Sequence, residues 1–184
     1  LSQQQRNRLE SAIKLARKAS EAGAKNALQV LAIHHHEPYP HMTIDERSLR
    51  NILRSKARLL GDNREPNGSQ NIDNLCYELA YETWHKMLFA KFLEVNSLLM
   101  HSEGVAVSIQ ECEDLAKEDG FIDKWETAAS YASRMLPAIF RVDDPLLKVK
   151  YSPDDLFKLE EILESLEEEI FTSDDALGWV YQYW

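Results

Sequence analysis

The sequence lacks any glycine-rich loop that could hold a nucleotide, because its six glycines lie far apart along 184 residues. The six prolines are never adjacent, and no GxSxG elbow of a serine hydrolase occurs. These absences argue against a self-contained active site. We therefore expect no catalytic residue in this chain.

Cysteine usage and hydrophobicity restrict the class of protein further. Cys76 and Cys112 have no CxxC spacing and fall within helical patterns, which favours small core residues over a redox or metal role. No stretch approaches the ~18 uncharged apolar residues of a membrane span. Residues 1–8 are polar and do not resemble a signal peptide. We expect a cytoplasmic protein without a membrane partner.

The net charge of −10 is distributed unevenly along the chain. Residues 1–66 contain twelve Lys/Arg against seven Asp/Glu, a balance of +5. Residues 67–184 contain nine against twenty-four, a balance of −15. Because the local field rather than the net charge attracts phosphates, the basic segment requires its own explanation.

Apolar periodicity and capping signals predict helices nearly throughout the sequence. Thr43 with Glu46 forms a capping box, and Gly61 suits the position just past a helix end. Pro137 is expected to kink the last turn of the fifth helix. Only residues 105–107 suggest a strand. We expect an all-α fold, an irregular bundle of about six to eight helices, at about 2–31, 43–60, 72–100, 108–120, 123–140, 152–169 and 172–184.

The segment 61–71 is composed almost entirely of loop-forming residues and is the best candidate for a linker. It predicts a basic helical hairpin over residues 1–62 and a main helical bundle over residues 72–184. One continuous domain is the alternative.

Four arginines of the second helix form the clearest functional pattern. Arg47, Arg50, Arg54 and Arg58 are spaced 3, 4 and 4 residues apart, which places them on one narrow stripe. The arginine fork matches phosphate oxygens, so the stripe suggests contact with a nucleic-acid backbone. The alternatives are a solvated face or pairing with acidic residues of the C-terminal half. The leucines and isoleucines of this helix are expected to anchor it to a core: Leu49, Ile52, Leu53, Leu59 and Leu60.

Other candidate sites are better explained as structure. His34, His35 and His36, with His41 nearby, lack the cysteine or carboxylate partners of a tetrahedral site, so we expect no metal centre. An independent metal-dependent enzyme would require this histidine run to bind zinc. An aromatic helix face is expected to be core rather than a base-stacking platform, and comprises Tyr77, Tyr81, Trp84, Phe89 and Phe92.

The C-terminal segment 177–184 carries four large aromatic side chains after a glycine, and such side chains normally bury against a surface. We expect it to dock onto a larger body that lies outside this chain. The candidate docking residues are Trp179, Tyr181, Tyr183 and Trp184.

Several segments, in order, resemble one family. Residues 3–33 and 43–62 look like the opening of large single-chain DNA methyltransferases that act on adenine N6 in restriction–modification and phage-exclusion systems. Residues 80–96 resemble the family's AYxxWxxxxxxRFxExN helix, with Lys91 at the arginine position. Residues 135–140 and 177–183 are similar to its next landmark and to its LGWxYQY signature.

This resemblance implies a non-catalytic N-terminal helical domain of such an enzyme. The methylase core of the parent protein would bind S-adenosylmethionine and hold the flipped base with its NPPY motif, and this fragment contains neither element. The implied partners are the methylase domain and double-stranded DNA. A different class of function, a protein-interaction scaffold that never touches DNA, is the alternative.

Overall fold

The computed structural model describes residues 1–141, 143–173 and 175–184, without the side chains of residues 176 and 177. Within these residues it contains eight α-helices and one 3₁₀ turn, Pro145–Lys148, and no strand, which confirms the predicted all-α class. The helices are α1 Gln3–Val30, α2 Ile44–Leu59, α3 Asp73–Val95, α4 Ile109–Asp119, α5 Lys124–Met135, α6 Pro153–Glu164, α7 Glu168–Thr172 and α8 Ala176–Tyr183. The suggested strand at 105–107 is reduced to an isolated bridge between Ala106 and Met100.

Helix starts follow the predicted capping chemistry. At α2 the Thr43 hydroxyl accepts a bond from the Glu46 amide, while the Glu46 carboxylate accepts one from the Thr43 amide. Ser108 and Glu111 repeat this arrangement at α4. These pairs satisfy backbone donors that the first turn of a helix leaves without partners.

Four helices end in the same way, with one residue in the left-handed region and a backbone bond that spans six residues. Gly61 and Gly120 occupy this position after α2 and α4. Ala32 after α1 and Ser97 after α3 occupy it with φ of 51° and 56°. Glycine adopts this conformation without steric cost, whereas a residue with a Cβ does not.

Several predicted helices are shorter than expected, including the third, which spans Asp73–Val95 rather than 72–100. The fifth ends at Met135 and is not kinked by Pro137, because proline disfavours the helical conformation of the residue before it, and Leu136 has φ −128° and ψ 60°. The acidic helix predicted through Glu169 is divided into α6 and α7. Ser165 bonds the Ile162 carbonyl through its hydroxyl, and like charges three and four residues apart disfavour one continuous helix.

The first compact unit comprises Leu1–Leu15, Trp84–Val142 and Glu161–Trp184. Its core packs α3 against α4 and α5, with side chains that include Phe89, Leu93, Ile109, Cys112, Tyr131 and Phe140. Polar residues at the end of α3 and directly after it connect this helix to its neighbours. Glu94 accepts a bond from the first amide of α4, at Ile109, and Asn96 donates to the Phe171 carbonyl.

The second compact unit comprises Ala16–Thr83 and Asp143–Glu160. The Ser20 hydroxyl donates to the Ala80 carbonyl, and the Tyr151 hydroxyl donates to the Ser20 carbonyl, so a buried polar network connects three segments. In the same unit, the 3₁₀ turn is joined to α2 by an ion pair between Lys56 and Asp144 at 3.1 Å.

The division into units differs from the boundary expected at 61–71. That segment lies inside the second unit, and three of the four unit boundaries fall within helices rather than loops. Helices α1, α3 and α6 each contribute residues to both units, so loop composition carries no information on this division. Among the described helices, none combines the length and apolar character needed to cross a bilayer.

Candidate nucleic-acid interface

Helix α2 buries arginines and exposes apolar side chains. Arg50 and Arg54 are only 4% and 7% exposed, whereas Ile44 and Leu59 are 86% and 87% exposed. Ile52 is also exposed. The expectation that Ile52, Leu59 and Leu60 anchor this helix to a core is therefore wrong, although Leu53 is buried as expected.

The reason for this inversion is the end of α1. Its last carbonyls and those of the following turn need donors, and a side chain on an adjacent helix can supply them. Arg50 donates to the carbonyls of Ala32 at 2.9 Å, His35 at 2.6 Å and His36 at 3.0 Å. One side chain thus binds three carbonyls of a single turn.

Arg54 extends this arrangement by one helical turn. Its guanidinium donates to the Ile33 carbonyl at 2.8 Å and to the His35 carbonyl. It also donates to the Gly68 carbonyl at 2.7 Å, so it connects the turn after α1 to the 61–71 segment. A guanidinium with five fixed donors suits this task better than a lysine would.

The outer members of the stripe are exposed and also bind neutral groups. Arg47 donates to the carbonyls of Met42 and Pro40, and Arg58 donates to Gln70 and Ser55. Within the described residues, none of the four arginines pairs with a carboxylate. The suggested pairing with acidic residues of the C-terminal half is therefore absent from these ranges.

The stripe is consequently a concentration of positive charge without an ion-pair partner in the described ranges, although Glu37 acts on Arg50 and Arg54 through space and opposes the lowering of their pKa. Burial lowers the pKa of Arg50 and Arg54, and the neighbouring Arg50, Arg64 and Arg58 lower that of Arg54 further. Both groups stay charged at neutral pH, because arginine titrates far above it. Positive potential at this surface is thus built into the fold.

The histidines lie on and around the turn that these arginines bind. Rings of His35 and Tyr39 are 5.8 Å apart, and those of Tyr39 and His41 stack at 5.7 Å. Burial lowers the pKa of His34, followed by the charges of His35, Arg50 and Arg54. No group of three or more possible metal ligands occurs in the part of the chain that the structure describes.

The 61–71 segment is a loop whose conformation is fixed by hydrogen bonds. The buried Gln70 amide donates to the carbonyls of Asp62, Asn63 and Asn71, and its backbone amide donates to the His34 carbonyl at 3.0 Å. A Cβ at Gly68 would overlap the ring of His36. Loop composition was visible in the sequence, but these contacts were not.

Asp62 is a further residue that sequence reasoning missed. Its carboxylate accepts the amides of Asn74 and Leu75, both at 2.9 Å, and so caps the first turn of α3 from eleven residues upstream of that helix. A cap is normally sought directly before a helix, where Ile72 has no side-chain acceptor. No local signal could have identified it.

Residues 177–183 of the aromatic segment lie in α8, within the first unit. Val180 is buried, and the Tyr181 ring stacks on His85 at 5.4 Å while Trp184 meets the same ring edge-on at 5.2 Å. Arg6 lies over the Trp179 ring, which stacks on Tyr183 at 5.6 Å. Tyr181 keeps 48% of its surface exposed. The chain therefore supplies part of the surface these rings need.

The cysteines are both free thiols. Cys112 belongs to the core of the first unit, and Cys76 donates to the Glu21 carbonyl in the second. Burial raises the pKa of each thiol to about 11, which disfavours the reactive thiolate. The structural role predicted for them agrees with these surroundings.

Comparison with known proteins does not assign this chain to a family. Scans against protein families, curated proteins and solved structures found no match to this chain.

Proposed function

We propose that this chain is the non-catalytic N-terminal helical domain of an adenine-specific DNA methyltransferase of a restriction–modification or phage-exclusion system. In this proposal the arginine stripe of α2 contributes to binding the backbone of duplex DNA. The observation that carries it is the stripe itself, because four guanidiniums on one helix meet no carboxylate within the described ranges. The ordered resemblance of several segments to the family supports the enzyme class.

The exposed ends of the stripe are the parts best placed for direct contact. Arg47 and Arg58 hold only neutral acceptors, which the charged oxygens of phosphate can displace because charge-assisted bonds are stronger. The two inner arginines of the stripe, Arg50 and Arg54, add to the positive potential of this surface. Their own contact with phosphate would require the 34–36 segment to move.

Catalysis belongs to another part of the proposed enzyme. S-adenosylmethionine would bind to a methylase domain in the cytoplasm, and α8 would dock this chain onto that domain. The residual exposure of Tyr181 supports docking through Trp179, Tyr181, Tyr183 and Trp184. The reading frame that encodes the chain tests the class: a downstream NPPY motif and glycine-rich loop support it, and an unrelated neighbour rejects it.

DNA binding is tested by fluorescence anisotropy with a 20-base-pair duplex between 50 and 200 mM salt. The double substitution Arg47→Gln/Arg58→Gln should flatten the log–log salt dependence by about 0.9 for each lost phosphate contact. The control Lys117→Gln/Arg134→Gln removes the same charge from exposed positions of the first unit and should leave the slope unchanged.

Two outcomes would reject this role. Equal slopes for the two double variants would mean that the stripe does not contact the backbone. Absence of binding at 50 mM salt would exclude DNA as a partner and favour the interaction scaffold. The exposed apolar side chains of Ile44, Ile52 and Leu59 on α2 support that alternative.

A further inference from the structure

One backbone oxygen in the second unit accepts bonds from two guanidinium groups. The His35 carbonyl receives Arg50 at 2.6 Å and also receives Arg54. Two cations thus converge on a neutral acceptor in a partly buried setting, where charge interactions are stronger than in water. An anionic oxygen at this position would be bound more strongly than the carbonyl is.

The three residues His34–His36, here called the histidine cover, close this position from outside. The side chains of His35 and His36 are exposed, whereas the preceding Ala32 and Ile33 are fully buried. The carbonyls of the cover accept hydrogen bonds from its surroundings: His35 and His36 accept from arginines, and His34 accepts from the Gln70 backbone amide. The His35 amide also donates to the Ala32 carbonyl, and the His36 ring lies against Gly68. Opening it would break these bonds and leave α1 and its buried end in place.

We propose that the histidine cover is displaceable and conceals a phosphate-binding site formed by Arg50 and Arg54. A phosphate group would replace the carbonyls of His35 and His36, and the exposed Arg47 and Arg58 would flank it on the same stripe. This inference rests on the proposed function, since it supplies the two inner contacts of the same DNA-binding surface.

The energetics favour replacement of the backbone carbonyl acceptors by phosphate oxygens. Carbonyl dipoles do not neutralise the two positive charges, and Glu37 acts on them only through space. A phosphate group would both neutralise them and match the guanidinium fork. Arginines four residues apart lie about 6 Å apart along the helix, so the stripe offers repeated contacts to a backbone. The cost is the exposure of a few residues that already face solvent in part.

The backbone amide of Gln70 reports directly on the position of the cover, because its hydrogen bond to the His34 carbonyl is lost on opening. The Asn71 amide, bonded to the Asn63 carbonyl at 2.9 Å, is a matched internal control. Amide hydrogen exchange is followed by NMR on the unmodified chain, alone, with a 20-base-pair duplex and with inorganic pyrophosphate. Saturating duplex should accelerate exchange at Gln70 by about tenfold or more and leave Asn71 unchanged.

The possible results separate the two proposals. If duplex binds and Gln70 exchange stays constant or slows, the cover remains closed and this inference is overturned while DNA binding stands. If neither duplex nor pyrophosphate binds, both proposals fail. Acceleration by both ligands supports a site for any phosphate group, and acceleration by duplex only assigns the site to the nucleic-acid backbone. Acceleration by pyrophosphate when the duplex does not bind supports the phosphate site and rejects DNA binding.

A substitution provides a second test. Arg54→Lys keeps the positive charge but removes the fork that binds the His35 and Gly68 carbonyls. It should abolish the DNA-dependent acceleration at Gln70, whereas the control Arg134→Lys, at an exposed position of the first unit, should preserve it. Equal acceleration in both variants would contradict a site at Arg54.

Discussion

The ring of Tyr151 occupies the space that a side chain at position 23 would need. A Cβ built on Gly23 would lie 2.7 Å from Cδ2 of Tyr151 and 3.1 Å from Cβ of Asp155. The Tyr151 hydroxyl meanwhile donates to the Ser20 carbonyl at 2.8 Å, one turn earlier on the same helix. Glycine in the middle of α1 thus permits a close approach that a polar network then fixes.

Replacing Gly23 with alanine should destabilise the protein, although alanine favours helix by about 1 kcal/mol. The added methyl group forces a buried tyrosine and its hydrogen bonds to shift, and such overpacking typically costs about 1–3 kcal/mol. Urea denaturation measures the difference. Gly178→Ala is the control, since a Cβ there meets nothing within 4 Å, and it should be neutral or stabilising. Stabilisation by Gly23→Ala would contradict the packing argument.

The end of α3 predicts a stabilising change. Ser97 holds φ of 56° and is exposed, so glycine at this position relieves left-handed strain without losing packing. Ser97→Gly should raise the free energy of unfolding by about 0.5–1 kcal/mol. The reverse change after α4, Gly120→Ala, should lower it by a similar amount, because Gly120 has φ of 77° and open surroundings. Changes of the same sign in the two variants would refute this interpretation.

Local features of this fold were predictable from the sequence, and contacts over longer distances were not. The capping box of Thr43 with Glu46 was recognised because it lies within four residues. The cap that Asp62 provides for α3 could not be recognised, because the loop fold brings the two together.

The arginine stripe shows the same limit for the candidate site. Spacing correctly indicated that four arginines share one face of α2, yet it could not tell which face the protein buries. The deciding factor is the need of the turn after α1 for hydrogen-bond donors, which depends on how α1 ends. Hydrophobic pattern alone therefore assigned the leucines inward and the arginines outward.

The burial of Arg54 predicts that substitutions at two arginines of the same stripe change the free energy of unfolding by very different amounts. Arg54→Gln leaves the carbonyls of Ile33 and Gly68 without their donor and should lower the free energy of unfolding by about 2 kcal/mol or more. Arg47→Gln, at an exposed position of the same stripe, should change it by less than about 0.5 kcal/mol. Thermal and urea denaturation check both. Equal effects would mean that burial of Arg54 contributes nothing.

His34 predicts the direction in which stability depends on pH. Burial, and then the charges of His35, Arg50 and Arg54, lower its pKa in the folded state below the ordinary value of 6.5. Between these two values the unfolded chain binds the proton more readily, so the free energy of unfolding decreases as pH falls from 6.5 through the folded pKa. Above 6.5 the ring is neutral in both states and contributes no pH dependence. Urea denaturation at several pH values from 7.5 to 5 should therefore show a smaller loss of stability in His34→Gln than in the unmodified chain, and an identical loss in both would show that another group is responsible.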